Sequence, residues 1–267
     1  MMASLADQYR ALRDRRRAGD PPDFEALLRR FYTGFLKPGD TAIDVGAFKG
    51  KHTIPIAAAI AGPGAALHAI EPNPDMAAAL RARIAGDPAL SFVMLHECAA
   101  AAENGIAEFI IAVEAPGYSG LRQRDYDQPD VTTQRIGVHT VRLDWLLPHL
   151  PSLAYIKLDI EGGEFDALRG AEGLLERHRP AISFEFGRRA YGVYGVEPAE
   201  VFDWFEGRRY VLFDIIGNPL RLKDRFLRAD RLPGVFDFLA VPEENRALVR
   251  LAQAQQDALP VTTPPAP

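Results

Sequence analysis

The 267-residue chain has a single cysteine, Cys98, so it can form no intramolecular disulfide and offers no cysteine-based zinc site, and a reducing compartment is expected. It has no excess of positive charge. The 31 Lys and Arg stand against 36 Asp and Glu, a formal net charge of −5, which gives no general attraction for a phosphate backbone or an anionic membrane. Nucleic acid is therefore not expected as a substrate. Long apolar runs are also missing: the longest, from Ile54 to Ile70, is interrupted by Pro55, the Gly62-Pro63-Gly64 turn and His68. The segment from Met1 to Arg17 is charged and helical in pattern and lacks the apolar centre of a secretory signal. A cytoplasmic protein without membrane insertion is expected. The six histidines show no paired metal-ligand spacing.

With 48% hydrophobic and 25% charged residues the chain has ordinary globular composition and can bury one sizeable core. Residues 1–37 read as a helical cover, two short amphipathic helices parted by Gly19-Asp20-Pro21-Pro22, with Asp23 as N-cap of the second. Residues 38–245 read as the main domain and 246–267 as a helix end and disordered tail. Within the main domain short buried strands alternate with helices, from Thr41–Val45 through Lys51–Ala61, Ala65–Ile70, Pro74–Ala85 and Ser91–Leu95, then Leu153–Asp159, Glu164–Glu176 and Ala181–Phe186. That alternation predicts an α/β, doubly wound, mostly parallel seven-stranded sheet. A hairpin-like ending near Tyr210–Ile215 and Phe236–Val241 predicts an antiparallel last strand. The polar stretch from Glu114 to Arg135 is too long for a plain connector and reads as a substrate loop.

The most informative segment is Thr41-Ala-Ile-Asp44-Val-Gly46-Ala-Phe-Lys-Gly50-Lys-His-Thr53, in which a strand ends in an acidic residue and turns through two glycines into a helix. Gly46 lets a ligand approach the backbone, and Gly50 relaxes the turn. Glu71 lies 21 positions after Gly50, at the end of the next strand, where a carboxylate can accept both hydroxyl hydrogens of a ribose. A dinucleotide fingerprint would place glycines at 44, 46 and 49, where this chain has Asp44, Gly46 and Lys49. Asp44 would repel a pyrophosphate, whereas S-adenosylmethionine carries no phosphate and presents an ammonium and a sulfonium.

A second signature, Tyr155-Ile-Lys157-Leu-Asp159-Ile-Glu161-Gly-Gly-Glu164-Phe-Asp-Ala-Leu-Arg-Gly170-Ala171, closely resembles the FkbM family of methyltransferases. The resemblance runs from about Thr41 to Phe186 and takes in Glu71-Pro72-Asn73-Pro74, Ser119-Gly120-Leu121, Val141-Arg142-Leu143-Asp144 and Glu185. It implies a class I, Rossmann-like methyltransferase fold, S-adenosylmethionine as cofactor, and O-methylation of a small-molecule or sugar hydroxyl. The cofactor-binding residues it implies are Asp44, Gly46, Ala47, Phe48, Gly50, Thr53, Glu71, Pro72, Asn73, Glu97, Cys98, Ser119 and Asp159. Many members carry Asn where this chain has Phe48, and commonly Asn near Glu97 as well.

Methyl transfer to a hydroxyl requires alignment, exclusion of water and removal of a proton. Asp159, at its strand end, and Glu161, in the loop after it, are the candidate bases, with His52 as a third catalytic candidate. Arg122, Arg124 and Glu185 are candidates for acceptor binding, the arginines for an anionic group. Mg²⁺ is not favoured; if a metal binds, Asp159 and Glu185 are its expected ligands. Lys157 is expected to pair with a carboxylate and Glu164 to cap a helix N-terminus. Two other readings stay open: a non-catalytic interaction domain that keeps the fold, and an NAD-dependent oxidoreductase. Self-association is left open.

Overall fold

The computed structural model describes residues 5–20, 22–124, 130–229 and 235–258. Ten strands are present among the described residues: β1 (Thr41–Val45), β2 (Ala66–Ile70), β3 (Val93–His96), β4 (Ala99–Ala100), β5 (Gly105–Ala112), β6 (Thr133–Val141), β7 (Tyr155–Leu158), β8 (Ala181–Glu185), β9 (Tyr210–Asp214) and β10 (Asp237–Pro242). Helices α1 (Leu5–Arg17) and α2 (Phe24–Thr33) precede them. The rest are α3 (Thr53–Ile60), α4 (Pro74–Gly86), α5 (Leu143–Leu146), α6 (Glu164–Arg169), α7 (Glu172–His178), α8 (Arg188–Val193), α9 (Pro198–Gly207), α10 (Lys223–Ala229) and α11 (Arg246–Gln253). No helix is long and apolar enough to cross a membrane among the described residues.

The main sheet has seven strands in the order β3-β2-β1-β7-β8-β10-β9. All neighbours run parallel except β10, which is antiparallel to both β8 and β9. The chain leaves β1 towards β2 and β3 and returns on the other side of β1 as β7, so the order reverses between β1 and β7. In such sheets the crevice at the carboxyl ends of the strands, at this reversal, is where ligands bind. The central strands are buried on both faces, which is why β7 and β8 read as nearly continuous apolar runs.

Asp44 is the exception, a carboxylate in the middle of the sheet with no exposed surface. Burying it alone would be costly. It accepts a hydrogen bond from Thr53 Oγ1 at 2.7 Å and lies 3.7 Å from Lys157 Nζ. Thus β1, β7 and the start of α3 are tied together by one charged group.

Helix α2 forms as its sequence predicts, with Asp23 accepting from the Ala26 N–H at 2.9 Å. Leu27, Leu28, Phe31 and Tyr32 are its buried face, spaced as an amphipathic helix requires. Tyr32 packs against Tyr155 of β7, ring centroids 5.6 Å apart. Phe31 is fully buried, and Phe31→Ala should cost about 3–5 kcal/mol of stability, measurable by urea denaturation. Helix α1 is pinned by the Tyr9 hydroxyl, which donates to Asp214 of β9 at 2.7 Å. The segment after α11 returns to the same region, Gln255 Nε2 donating to Leu27 O at 2.6 Å.

One expectation changes. Glu164–Glu176 is two helices, α6 and α7, parted at Gly170 and Ala171, and Gly170 lies so close to Ala101 O that an added Cβ would sit 2.1 Å from it. Within the stretch 114–135 residues 116–118 form a short 3-10 turn and Thr133 to Arg135 begin β6, which pairs with β5 over eight register positions in a separate three-stranded sheet ordered β4-β6-β5. Tyr191 lies on α8, where its hydroxyl donates to Glu185 O at 3.1 Å. The expected tail beyond Leu259 lies outside the described residues.

Candidate functional site

A cavity of about 790 Å³ opens at the carboxyl edge of the main sheet, across the ends of β1, β2, β7 and β8 and the start of β10. The size suits a cofactor together with part of an acceptor. Residues 116–121, which follow β5, form one rim, and the segment from Pro22 to Glu25 forms another.

Gly46 and Glu71 sit at the β1–β2 end. Gly46 has φ +81°, and a Cβ there would lie 1.9 Å from Asp159 O, so only glycine lets the turn after β1 rest on the strand end of β7. Phe48 also adopts a left-handed conformation, φ 51°, and its N–H donates to Glu71 Oε2 at 2.7 Å. The other carboxylate oxygen, Oε1, accepts from the Asn73 N–H at 2.8 Å. Each oxygen keeps a second lone pair, and Glu71 lines the cavity while only 5% exposed. Burial raises its carboxyl to about 7, against the opposing pull of the two N–H donors.

Asp159 follows β7 and opens into the cavity, its side chain 44% exposed there. Lys157 Nζ donates to its Oδ2 at 3.2 Å, as expected for Lys157. Desolvation alone would raise Asp159, but the Lys157 ammonium and a hydrogen bond from Glu185 hold it below the usual carboxylate range. Glu185 is pushed well above that range, first by burial and then by Asp159. The hydrogen bond between the two carboxyls draws Asp159 down and leaves Glu185 up. Burial also lifts Asp237, on β10, to about 7.

Not every expected contact is made. Ala47, Phe48, Pro72, Ser119, His52, Glu161 and Glu185 line the cavity with Gly46, Glu71 and Asp159. Asp44, Gly50, Thr53, Asn73, Glu97 and Cys98 do not. Asp44 and Thr53 lie beneath the surface and bind each other. Gly50 packs on Leu80, where a Cβ would come within 2.8 Å, and Asn73 is the N-cap of α4. Glu97 points away and pairs with Arg81; Ala99 and Ala100 reach the cavity instead of it and the buried Cys98. Arg122 and Arg124 do not line the cavity either, and Arg124 is taken up by Glu161 and by the Tyr118 ring, 4.9 Å away. Glu164 holds the loop before its helix, accepting from the Ile160 N–H at 2.8 Å.

His52 is only 4% exposed and has both ring nitrogens engaged, Nε2 with Glu25 Oε2 at 2.6 Å and Nδ1 with the Tyr32 hydroxyl at 3.3 Å. So placed it is a clamp between α2 and the glycine turn rather than a free base. Glu25 also meets Lys51 Nζ at 2.7 Å, and its hydrogen bond with His52 lowers its carboxyl to about 2. Glu25, Lys51, Asp237, Phe24, Phe236 and Tyr194 are lining residues that the sequence did not single out.

One carboxylate oxygen from each of Asp159, Glu161 and Glu185 lies within 4.8 Å of the others, close enough to share a divalent cation. The charge balance does not ask for one, since Lys157 and Arg124 already serve Asp159 and Glu161.

Two measurements follow. Gly46→Ala should displace Asp159 as well as obstruct the turn, lowering melting temperature and cofactor affinity together; unchanged values of both would contradict the close approach. Second, Glu71, Glu164 and Asp237 are each raised to about 7 by burial, so the stability they contribute is present at low pH and lost as pH rises through 7. His68, lowered to about 4 by burial, acts oppositely only below about its unfolded value of 6.5. The melting temperature should therefore rise by a few degrees between pH 8 and pH 6.5 in a calorimetric scan.

Residues 44–212 match the family described as Methyltransferase FkbM domain. No curated protein matches the chain. Among solved structures the chain is similar to an FkbM methyltransferase from Methylobacillus flagellatus KT, with 16% identity, a TM-score of 0.48, and coverage of 78% of this chain and 47% of that one. This chain thus spans about half the length of that structure. A putative methyltransferase from Streptococcus mutans, in complex with SAH, has 9% identity, a TM-score of 0.44, and coverage of 81% and 96%. A SAM-dependent O-methyltransferase from Thermotoga maritima has 11% identity, a TM-score of 0.41, and coverage of 83% and 65%.

Proposed function

The chain belongs to the FkbM methyltransferase family, and from that premise we propose that it transfers the methyl group of S-adenosylmethionine to a hydroxyl oxygen of a small molecule or sugar. The observation that carries the proposal is the continuity of one cavity from Gly46 and Glu71 to Asp159. A nucleoside-binding end and a proton-accepting end face each other in it.

The residues present fit this cofactor. The left-handed turn at Gly46 leaves a bare backbone where a Cβ has no room, and Glu71 keeps a free lone pair on each oxygen for the two ribose hydroxyls. The cavity wall is acidic, which suits a sulfonium and an ammonium and disfavours the pyrophosphate of NAD. When bound, the cofactor supplies an electrophilic methyl group. Asp159 accepts the hydroxyl proton of the acceptor, and Lys157, 3.2 Å from it, keeps it ionised and fixes its direction. Residues 116–121 and the α2 end of the helical cover narrow the opening and exclude water. Alignment of this kind supplies about 7–11 kcal/mol in favourable cases.

Calorimetry with S-adenosylmethionine, S-adenosylhomocysteine and NAD tests the reading: the first two should bind and NAD should not. Binding without turnover of any hydroxyl compound would favour the non-catalytic module. Retention of activity in EDTA would exclude Asp159 as a ligand to an essential Mg²⁺.

A further inference from the structure

Seven carboxyl residues line the cavity, Asp23, Glu25, Glu71, Asp159, Glu161, Glu185 and Asp237, against three residues able to carry positive charge, Lys51, His52 and Lys157. Those three are all engaged: Lys51 and His52 by Glu25, and Lys157 by Asp159 and Asp44. Arg124, behind the lining, is engaged by Glu161. Asp23 caps α2, and Glu71 accepts from two backbone N–H groups.

What is left over is Asp237. Glu185 and Asp237 are direct register partners on the antiparallel strands β8 and β10, which sets their Cβ atoms about 5 Å apart. Neither has an ion-pair partner among the described residues. Beside Asp237, the Phe236 ring also lines the cavity and is 48% exposed. Glu185 is hydrogen-bonded to Asp159, so Asp237 is the carboxyl left without an ion-pair partner, and together with the open aromatic face it forms a wall that attracts a cation electrostatically and through the ring quadrupole. The same wall repels phosphate, sulfate or carboxylate groups, and no unengaged cation is there to receive them.

We propose that Asp237, with Glu185 and Phe236, binds a protonated amine on the acceptor, so that the acceptor is an amino alcohol of the amino-sugar kind. Its ammonium sits on the β8–β10 pair and directs a neighbouring hydroxyl to Asp159. This deepens the methyltransferase reading and rests on it. Asp237 lies outside residues 44–212, the part that matches the family, so the preference belongs to this chain's own sequence. It also replaces the expected role of Arg122 and Arg124 in binding an anionic acceptor.

The test uses four hexoses that differ at one group: glucosamine, glucose, glucuronic acid and glucose 6-phosphate. Their binding to the full-length protein saturated with S-adenosylhomocysteine is followed by ligand-observed NMR at pH 7.5. S-adenosylhomocysteine binding is measured first, and its absence would sink the cofactor reading itself. With the cofactor product in place, glucosamine should bind at least fivefold more tightly than glucose, and the two acids should give no signal. Asp237→Asn should erase the glucosamine preference and leave S-adenosylhomocysteine affinity unchanged; Phe236→Leu should weaken the preference. No glucosamine binding, equal or tighter binding of either acid, or an intact preference in Asp237→Asn would each overturn the proposal. A preference that appears only with Mg²⁺ would also overturn it, in favour of a metal on Asp159, Glu161 and Glu185.

Discussion

Asp159→Asn lowers kcat by at least about a hundredfold, the low end for a lost general base, while S-adenosylhomocysteine affinity stays within a few fold. The substitution keeps the side chain's size and its reach into the cavity and removes its basicity. The fold should tolerate it because Lys157 keeps Asp44 as a counter-charge 3.7 Å away. The cofactor-binding contacts of Glu71 lie at another strand end and do not pass through Asp159. Steady-state rates and calorimetry on the same preparation check both halves. Full activity in Asp159→Asn would move the proton to Glu161 or Glu185.

Glu71→Ala is expected to weaken S-adenosylhomocysteine binding by well over tenfold. Two charge-assisted hydrogen bonds to the ribose, each worth roughly 1.5–3 kcal/mol, are lost. So are the acceptors for the Phe48 and Asn73 N–H groups. Glu71→Gln separates these effects: it keeps one acceptor oxygen and the side-chain shape, and should fall between the parent and the alanine variant. Because burial raises Glu71 to about 7, the comparison belongs at pH 8, where the carboxylate is ionised. In the parent, affinity should decline as pH falls from 8 to 6, since a protonated carboxyl loses acceptor capacity. Flat affinity across that range, or an alanine variant that binds like the parent, would remove Glu71 from the ribose.

The order of strands and the position of Gly46, Glu71 and Asp159 were legible in the sequence because each depends on local chemistry. An apolar run ends, a glycine permits a turn, and a carboxylate follows the strand. Asp44, Thr53, Glu97 and Cys98 do not line the cavity, for a reason that spacing does not carry. Asp44 lies in β1 next to Val45 and Gly46, which line the cavity, yet Thr53 and Lys157 hold its carboxylate under the surface. Glu97 turns outward because Arg81, on α4, is there to meet it. Asp237 and Glu25 were missed because each acquires its meaning from a distant partner, Glu185 across a strand pair and His52 across a helix packing. The first turn of α2 gave one hint, an acidic residue just after an N-cap, which is also ordinary helix chemistry.

The bond from Tyr9 to Asp214 spans 205 positions, and that from Gln255 to Leu27 spans 228. During synthesis, α1 and α2 leave the ribosome long before either partner exists. The last strand to be made, β10, must insert between β8 and β9, which are already translated. Folding of this chain thus runs against vectorial order: α2 waits for β7, which carries Tyr155, and α1 waits for Asp214 of β9. Loop-closure entropy makes such contacts slow to form, and an exposed amphipathic helix in the interval is a natural substrate for chaperones.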